Sequence, residues 1–296
     1  MLEFTDRVAI VTGAGRGLGA SHAKLLAARG AAVVVNDLGG SAVGSGSSAT
    51  PAEEVVAEIV AAGGRAVANV DSVSENPEGI VGTALEAFGR LDVVVNNAGI
   101  NQVHEFGPGV MDSLRRHMEV HFFGMAGVTA AAWPHLVASG AGRVVNTTSP
   151  TLIGFPQQTP YVSAKGAIFA FTRTLAFEAQ EVGIKVNAIA PTAATRMSDE
   201  ADLPEEFKQF MRDNLPTSLV SPVVAYLAHA DCAVNGEVLQ AQGGEVQRLV
   251  LGFNEGFASK DLTPELVQQH IEEILDPSTH TPFATIDKQD LSAVGK

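Results

Sequence analysis

Short continuous apolar runs alternate along this chain with stretches whose apolar positions recur at helical spacing. Residues 8–11 (V-A-I-V) and 31–36 (A-A-V-V-V-N) are apolar without alternation, and more mixed runs at 65–70, 91–95, 143–146 and 185–189 read the same way. Runs of that kind suit strands buried on both faces of a parallel sheet. Helices are predicted between them at 17–29, from Pro51 to the Gly63-Gly64 stop, up to Phe88, at 110–137 and at 161–179. A helix at 221–229 and a strand at 237–240 complete the sheet. Strand and helix in turn predict an α/β domain with a parallel sheet of about seven strands and helices on both faces. Residues 1–250 form this domain, with 195–215 a short helical lid. Residues 251–296 form a C-terminal extension whose helix, at 264–275, folds back or crosses to a partner, and whose last fifteen residues are expected to be loose.

Composition narrows the function classes. A chain of 296 residues, 46% hydrophobic, can bury a full core as one large domain. Cys232 stands alone, which excludes an internal disulfide framework and a multi-cysteine metal site and suits a reducing cytoplasm. No apolar run is long enough to cross a bilayer, and the few residues before the first strand leave no room for a signal peptide. The net charge of −14 argues against a nucleic-acid partner. An anionic substrate would have to be met locally, and Arg196 at the lid is the best candidate, ahead of Lys208 and Arg212.

The chemistry begins at the first strand. It breaks at Thr12-Gly13 into T-G-A-G-R-G-L-G, so that Gly13, Gly17, Leu18 and Gly19 bring a side-chain-poor turn to a helix N-terminus. Backbone N–H groups and the positive end of the helix dipole there form an anion site fit for a pyrophosphate. Asp37 ends the second strand, about 20 residues on, where a carboxylate accepts from adenosine ribose hydroxyls and repels a 2′-phosphate. That favours NAD over NADP, although Arg16 in the turn pulls the other way. Leu38–Pro51, rich in Gly and Ser, reads as a long loop that either orders over cofactor or has no role. Asp71, with Ser72 beside it, falls at the adenine edge. Asn96-Asn97-Ala98-Gly99 ends the fourth strand, where small residues let a cofactor lie against backbone and Asn96 can brace neighbouring strands. Pro191 opens the loop flanking the nicotinamide.

Tyr161-Val162-Ser163-Ala164-Lys165 opens a long helix and puts a phenol and an ammonium on one helix face, at i and i+4. A tyrosine acts as a base near neutral pH only if its pKa falls by roughly three units, about 4 kcal/mol of preferential phenolate stabilisation. Lys165 and a nicotinamide cation are charges sufficient for this at short range.

Together these motifs resemble the short-chain dehydrogenase/reductase family. Longer stretches, V-V-V-N-D-L-G-G (33–40), F-G-R-L-D-V-V-V-N-N-A-G-I (88–100), V-H-F (120–122), I-A-P-T-A-A-T-R-M (189–197) and L-T-P-E-L-V (262–267), are similar to one subgroup of it. That subgroup is the (3R)-hydroxyacyl-CoA dehydrogenase part of peroxisomal multifunctional enzyme type 2 and its bacterial stand-alone relatives. The resemblance implies a Rossmann-type doubly wound sheet and a homodimer or homotetramer built on the helices after strands four and five. It implies oxidation of a secondary alcohol, a hydroxyacyl-CoA or a steroid side-chain CoA ester, by NAD. Tyr161 would take the alcohol proton and Lys165 would hold the phenolate and the ribose. His121, where most of the family has Asn, would join a proton relay. The family's catalytic serine lies thirteen residues before the tyrosine, which is Thr148 here, with Ser149 as the alternative. No hydratase or sterol-carrier domain follows, and Lys296 does not end a peroxisomal address. Two other readings stand beside this one: a dehydrogenase of free hydroxysteroids or other secondary alcohols, and an NAD-binding module without turnover, which the departure at Thr148 would suit.

Overall fold

In this computed structural model the described residues are 1–200, 203–279 and 281–282. Internal contacts separate the chain into Met1–Gln247 and Arg248–Lys296.

In the first unit β1 (Val8–Thr12), α1 (Gly17–Ala28), β2 (Ala32–Asn36), α2 (Thr50–Ala61), β3 (Arg65–Asn69) and α3 (Pro77–Phe88) make the first half of the sheet. The second half runs through β4 (Val93–Asn96), α4 (Val110–His117), α5 (Met125–Ala138), β5 (Arg143–Thr147), α6 (Thr159–Glu178) and β6 (Lys185–Thr192). Then come α7 (Arg196–Asp199), α8 (Glu205–Asn214), α9 (Ser221–Ala228), β7 (Val238–Gln242) and a short β8 (Glu245–Arg248). The strand order is β3-β2-β1-β4-β5-β6-β7-β8, and the first seven strands pair in parallel. The eighth, which the pattern did not predict, follows β7 across Gly243-Gly244. Successive side chains of β1 face opposite ways, and both faces are apolar. Ala9 and Val11 pack with α1, α2 and α9, while Val8 and Ile10 pack with α3, α5 and the end of α6. This double burial is why the strands read as unbroken apolar runs. The chain reverses its direction of travel across the sheet between β1 and β4, and a crevice opens there at the carboxyl ends of the strands, where such sheets bind ligands.

Three expected boundaries move. Strand four begins at Val93 rather than at 91; just before it, the Asp92 backbone still bonds Val8 O and Arg143 N–H, and its carboxylate also accepts the Val8 N–H at 2.8 Å. The helix expected at 110–137 is three pieces, with a π-helical turn at Met118–Gly124 between α4 and α5. Such turns are rare and are concentrated at functional sites. Pro191, expected in a loop, lies inside β6 opposite Ala241. There β5 has already ended, so the missing proline N–H faces no ladder partner.

The lid segment contains α7 and α8, with residues 201–202 outside the described set. In the second unit β9 (Gly252–Phe253) pairs antiparallel with β10 (Thr281–Pro282). The helix expected at 264–275 is two, α10 (Pro264–Gln269) and α11 (Ile271–Ile274). His270 separates them, its ring stacked on Phe257 at 3.8 Å and its Nδ1 3.0 Å from Glu273. Of the fifteen final residues expected to be loose, all but Pro282 lie outside the described residues. Among the described residues no helix is long and apolar enough to cross a membrane, and no His/Cys/Asp/Glu group is arranged to hold a metal.

Candidate active site

The glycine turn is fastened to the end of β4. Thr12 Oγ1 accepts the N–H groups of Asn97 and Ala98, both at 3.0 Å, and Asn97 Nδ2 donates to the carbonyls of Thr12 and Gly13 at 3.0 and 3.1 Å. Asn97 therefore shapes the loop by scaffolding. Gly13 sits at φ +62, and a Cβ on it would come within 2.8 Å of the Ala98 backbone. At Gly17 the chain turns into α1, whose N-terminus has no side-chain cap and no acid in its first turn. The first N–H groups of Gly17, Leu18 and Gly19 are thus left for an anion. A cleft of about 520 Å³ opens beside them, lined by Arg16, Ser21, Lys24, Glu54 and Thr217 among others.

Asp37 accepts the Gly15 N–H on one carboxylate oxygen and the Gly39 N–H on the other, each at 2.7 Å. This places a negative charge against the glycine turn and leaves lone pairs for ribose hydroxyls. Asp71 is used differently. Its carboxylate takes the side-chain amides of Asn69 and Asn76 at 2.7 and 3.0 Å, and Ser72 pairs with Ser74 at 3.1 Å. These two residues shape the loop after β3. The loop expected over the cofactor is tied down at three points: Asn101 N–H to Ala42 O at 3.0 Å, Arg196 to Gly40 O at 3.1 Å, and Arg116 to Gly44 O.

The Tyr–Lys pair sits where β5 runs out. Lys165 is buried at 3% exposure, and its Nζ donates to the Thr147 carbonyl at 2.7 Å and lies 5.5 Å from the Tyr161 ring centroid. Asn96 Nδ2 donates to Asn146 Oδ1 at 2.9 Å, and Asn146 Nδ2 donates to Thr172 Oγ1 at 3.0 Å. This chain of amides locks β4, β5 and α6 together under the pair. The two candidate hydroxyls have different partners. Thr148 Oγ1 donates to the Lys165 carbonyl at 2.8 Å, whereas the Ser149 hydroxyl pairs with Thr151 Oγ1 at 2.8 Å, accepts the Thr151 N–H at 3.2 Å, and lies near enough to Tyr161 to favour its phenolate. Counting thirteen residues from the tyrosine points to Thr148, but the structure turns Ser149 toward the phenol.

His121 is buried on the π-helical turn with its ring 5.4 Å from that of Tyr161, edge to face. Its Nε2 lies 2.7 Å from Ile100 O and 3.1 Å from Ile100 N. The shorter contact makes Nε2–H the donor and leaves Nδ1 a bare, buried acceptor without a partner. Gly99 is required beside it, since a Cβ there would meet the imidazole at 2.5 Å.

The short chain dehydrogenase family model matches residues 7–206. This chain belongs to the short-chain dehydrogenase/reductase family. It is 44% identical to a short-chain type dehydrogenase/reductase of Mycobacterium tuberculosis, over 88% of this chain and 90% of that one. It is 42% identical to peroxisomal multifunctional enzyme A of Dictyostelium discoideum, over 99% of this chain but only 66% of the relative's length. The structure of full-length peroxisomal multifunctional enzyme type 2 from Drosophila melanogaster superposes with a TM-score of 0.79 at 30% identity. That superposition covers 99% of this chain and 49% of that one. Family and fold together make the protein an NAD(P)-binding oxidoreductase that acts on CH–OH groups.

Electrostatics in this short-chain dehydrogenase are set by burial. The Tyr161 phenol is pushed above its ordinary value by burial, which the Ser149 hydrogen bond opposes. Burial lowers Lys165 to about 7. His121 is held well below its ordinary value, chiefly by burial and then by the nearby Lys165 charge, so it is neutral. A second histidine, His117, escaped the sequence pattern. It is fully buried, stacks on His121 with centroids 5.9 Å apart and 10° between planes, and lies 6.4 Å from the Tyr161 ring. Its one sequence signal is the four-residue spacing from His121 on a single helix face.

Proposed function

We propose that this protein is an NAD-dependent dehydrogenase that oxidises (3R)-hydroxyacyl-CoA thioesters, fatty or steroid side-chain, to the 3-oxo products. The observation that carries this reading is the convergence of Ser149, Tyr161 and Lys165 at the end of β5. The choice of thioester rests on the likeness to the multifunctional enzymes across nearly the whole chain. Asp37 supports NAD over NADP, because its carboxylate is fixed by two backbone amides where a 2′-phosphate would meet it.

The groups left open fit a dinucleotide. The uncapped start of α1 would hold the pyrophosphate, Asp37 the adenosine ribose, and Lys165 the nicotinamide ribose. A bound nicotinamide would supply the acceptor for the carbinol hydride. Ser149 donates to the substrate oxygen and Tyr161 takes its proton. Burial raises the phenol and lowers the ammonium, and a protonated Lys165 beside the ring would stabilise the phenolate. His121, bare at Nδ1, supplies an acceptor for a proton relay.

A specific observation favours the rival reading, a dehydrogenase of free secondary alcohols such as hydroxysteroids. The lid cations are already engaged: Arg196 with Gly40 O and Glu200, Arg212 with Asp199 and Glu205, and Lys208 with Asp199 O. A CoA phosphate would have to displace one of these partners. Against the non-catalytic reading, Ser149 offers a hydroxyl close to the phenol although Thr148 is bonded to Lys165 O. The experiment is NADH and NADPH formation by the purified protein with (3R)- and (3S)-hydroxyacyl-CoA, beside CoA-free hydroxysteroids. Turnover of the 3R thioester alone, with NAD, is the expected result. Turnover of only the free alcohols would replace this reading with the rival one. A homodimer or homotetramer through α5 and α6, where Phe123 and Val137 are exposed nearby, completes the proposal and is read by sedimentation.

A further inference from the structure

The segment after Gly99 is bonded on alternating edges, as a strand is, although no strand flanks it. Asn101 N–H goes one way, to Ala42 O of the long loop. On the other edge Ile100 O takes the proton of His121 Nε2 at 2.7 Å, and Gln102 N–H is accepted by His117 Nε2 at 3.3 Å. In a parallel sheet a neighbouring strand donates to the carbonyl of residue i and accepts from the N–H of residue i+2. The two stacked imidazoles reproduce that pattern with side chains, one as donor and one as acceptor. The tautomer of His117 follows: its Nδ1–H donates to Ser113 O at 2.8 Å, so Nε2 is free to accept. Two residues further on, His104 N–H donates to Gln157 O at 2.9 Å, in the loop that precedes Tyr161. Residues 100–104 thus join the loop after β2 to the loop before the tyrosine, and His117 holds the middle of that join.

We propose that His117 is a positioning residue of this active site: through Gln102 it fixes the 100–104 segment, and with it the loop carrying the approach to Tyr161. The inference rests on the dehydrogenase reading for its kinetic consequence but not for its structural one. The test uses three substitutions of differing reach. His117→Gln retains a long-reach acceptor for Gln102 N–H, His117→Asn retains only a short-reach donor to Ser113 O, and His117→Leu retains neither.

Residue-resolved hydrogen exchange on the cofactor-free protein is expected to show the Gln102 amide protected in the wild type and in His117→Gln. In the Asn and Leu variants that amide is expected to exchange on the order of tenfold faster. With whichever alcohol the enzyme turns over, kcat is expected to fall on the order of tenfold in the Asn and Leu variants and to be rescued in His117→Gln, with NADH affinity within about twofold throughout. Gln102→Pro, which deletes the N–H while leaving His117 in place, is expected to reproduce the kcat loss. Equal behaviour of the Asn and Gln variants, or an unchanged Gln102 amide in the Leu variant, would overturn the proposal. The exchange readout needs no substrate, so it tests the role of His117 whether or not the thioester is turned over.

Discussion

The two ends of the sheet are built on opposite principles. At the amino ends of the strands, charges meet partners. Asp92 accepts from Val8 N–H and, in a bidentate pair, from Arg90 Nε and Nη2 at 2.9 and 2.7 Å, and Arg143 donates to the carbonyls of His229, Gly142 and Ala230. At the carboxyl ends, buried polar atoms are left without partners: Asn96 Oδ1, Asn101 Oδ1, His121 Nδ1 and Thr147 Oγ1. An unsatisfied buried polar atom destabilises a fold by about 1–3 kcal/mol, so such a cluster persists where something else uses it. One end holds the sheet together, and the other carries the candidate site. Arg7 Nε at the amino end and His22 Nε2 inside α1 are the exceptions among the described residues.

Mutation should separate the two ends, and the largest effect is at the carboxyl end. Tyr161→Phe is expected to lower kcat on the order of a thousandfold, with the melting temperature within a few degrees of wild type, as read by NADH formation and thermal denaturation. Asp92→Ala should do the reverse. It strands Val8 N–H and two arginines and is expected to cost about 3–5 kcal/mol in urea denaturation, while NADH affinity of the folded fraction is unchanged. Within the site, Ser149→Ala is expected to lower kcat on the order of a hundredfold and Thr148→Val to lower it less than about threefold. An equal loss in both would restore Thr148 to the role.

The smallest effect concerns pH. Lys165 titrates near 7 when folded and near its ordinary 10.5 when unfolded, so the unfolded chain binds more protons between those values. Stability should therefore rise as pH increases across that window and be insensitive to this group below it. A rise of a few degrees in melting temperature from pH 7 to 9 is expected, flattened in Lys165→Met.

The seven parallel strands were legible because both of their faces are apolar, so the pattern needed no knowledge of neighbours. Their ends were not. Pro191 departs from the expected boundary because β5, the partner on its N–H side, has already ended, a fact far away in sequence. The glycine turn and the Tyr–Lys pair were legible because their chemistry fixes local spacing. The choice between Thr148 and Ser149 was not legible, since counting back from Tyr161 assumes a loop of fixed length, while their partners, Lys165 O for one and Thr151 for the other, are set by the fold. Asp71 illustrates the same limit: its position suggested a ligand contact, while the bonds its carboxylate makes to Asn69 and Asn76 are visible only in the fold. His117 was invisible because its partners are backbone groups, which leave no mark in composition.

The π-helical turn at Met118–Gly124 also sets which changes in length this region can absorb. Each residue of an α-helix turns the chain by about 100°. Losing a single codon between the two histidines would cut their spacing from four to three and swing one ring off its shared backbone edge. Among descendants of this gene, that stretch should accumulate substitutions while rejecting insertions and deletions.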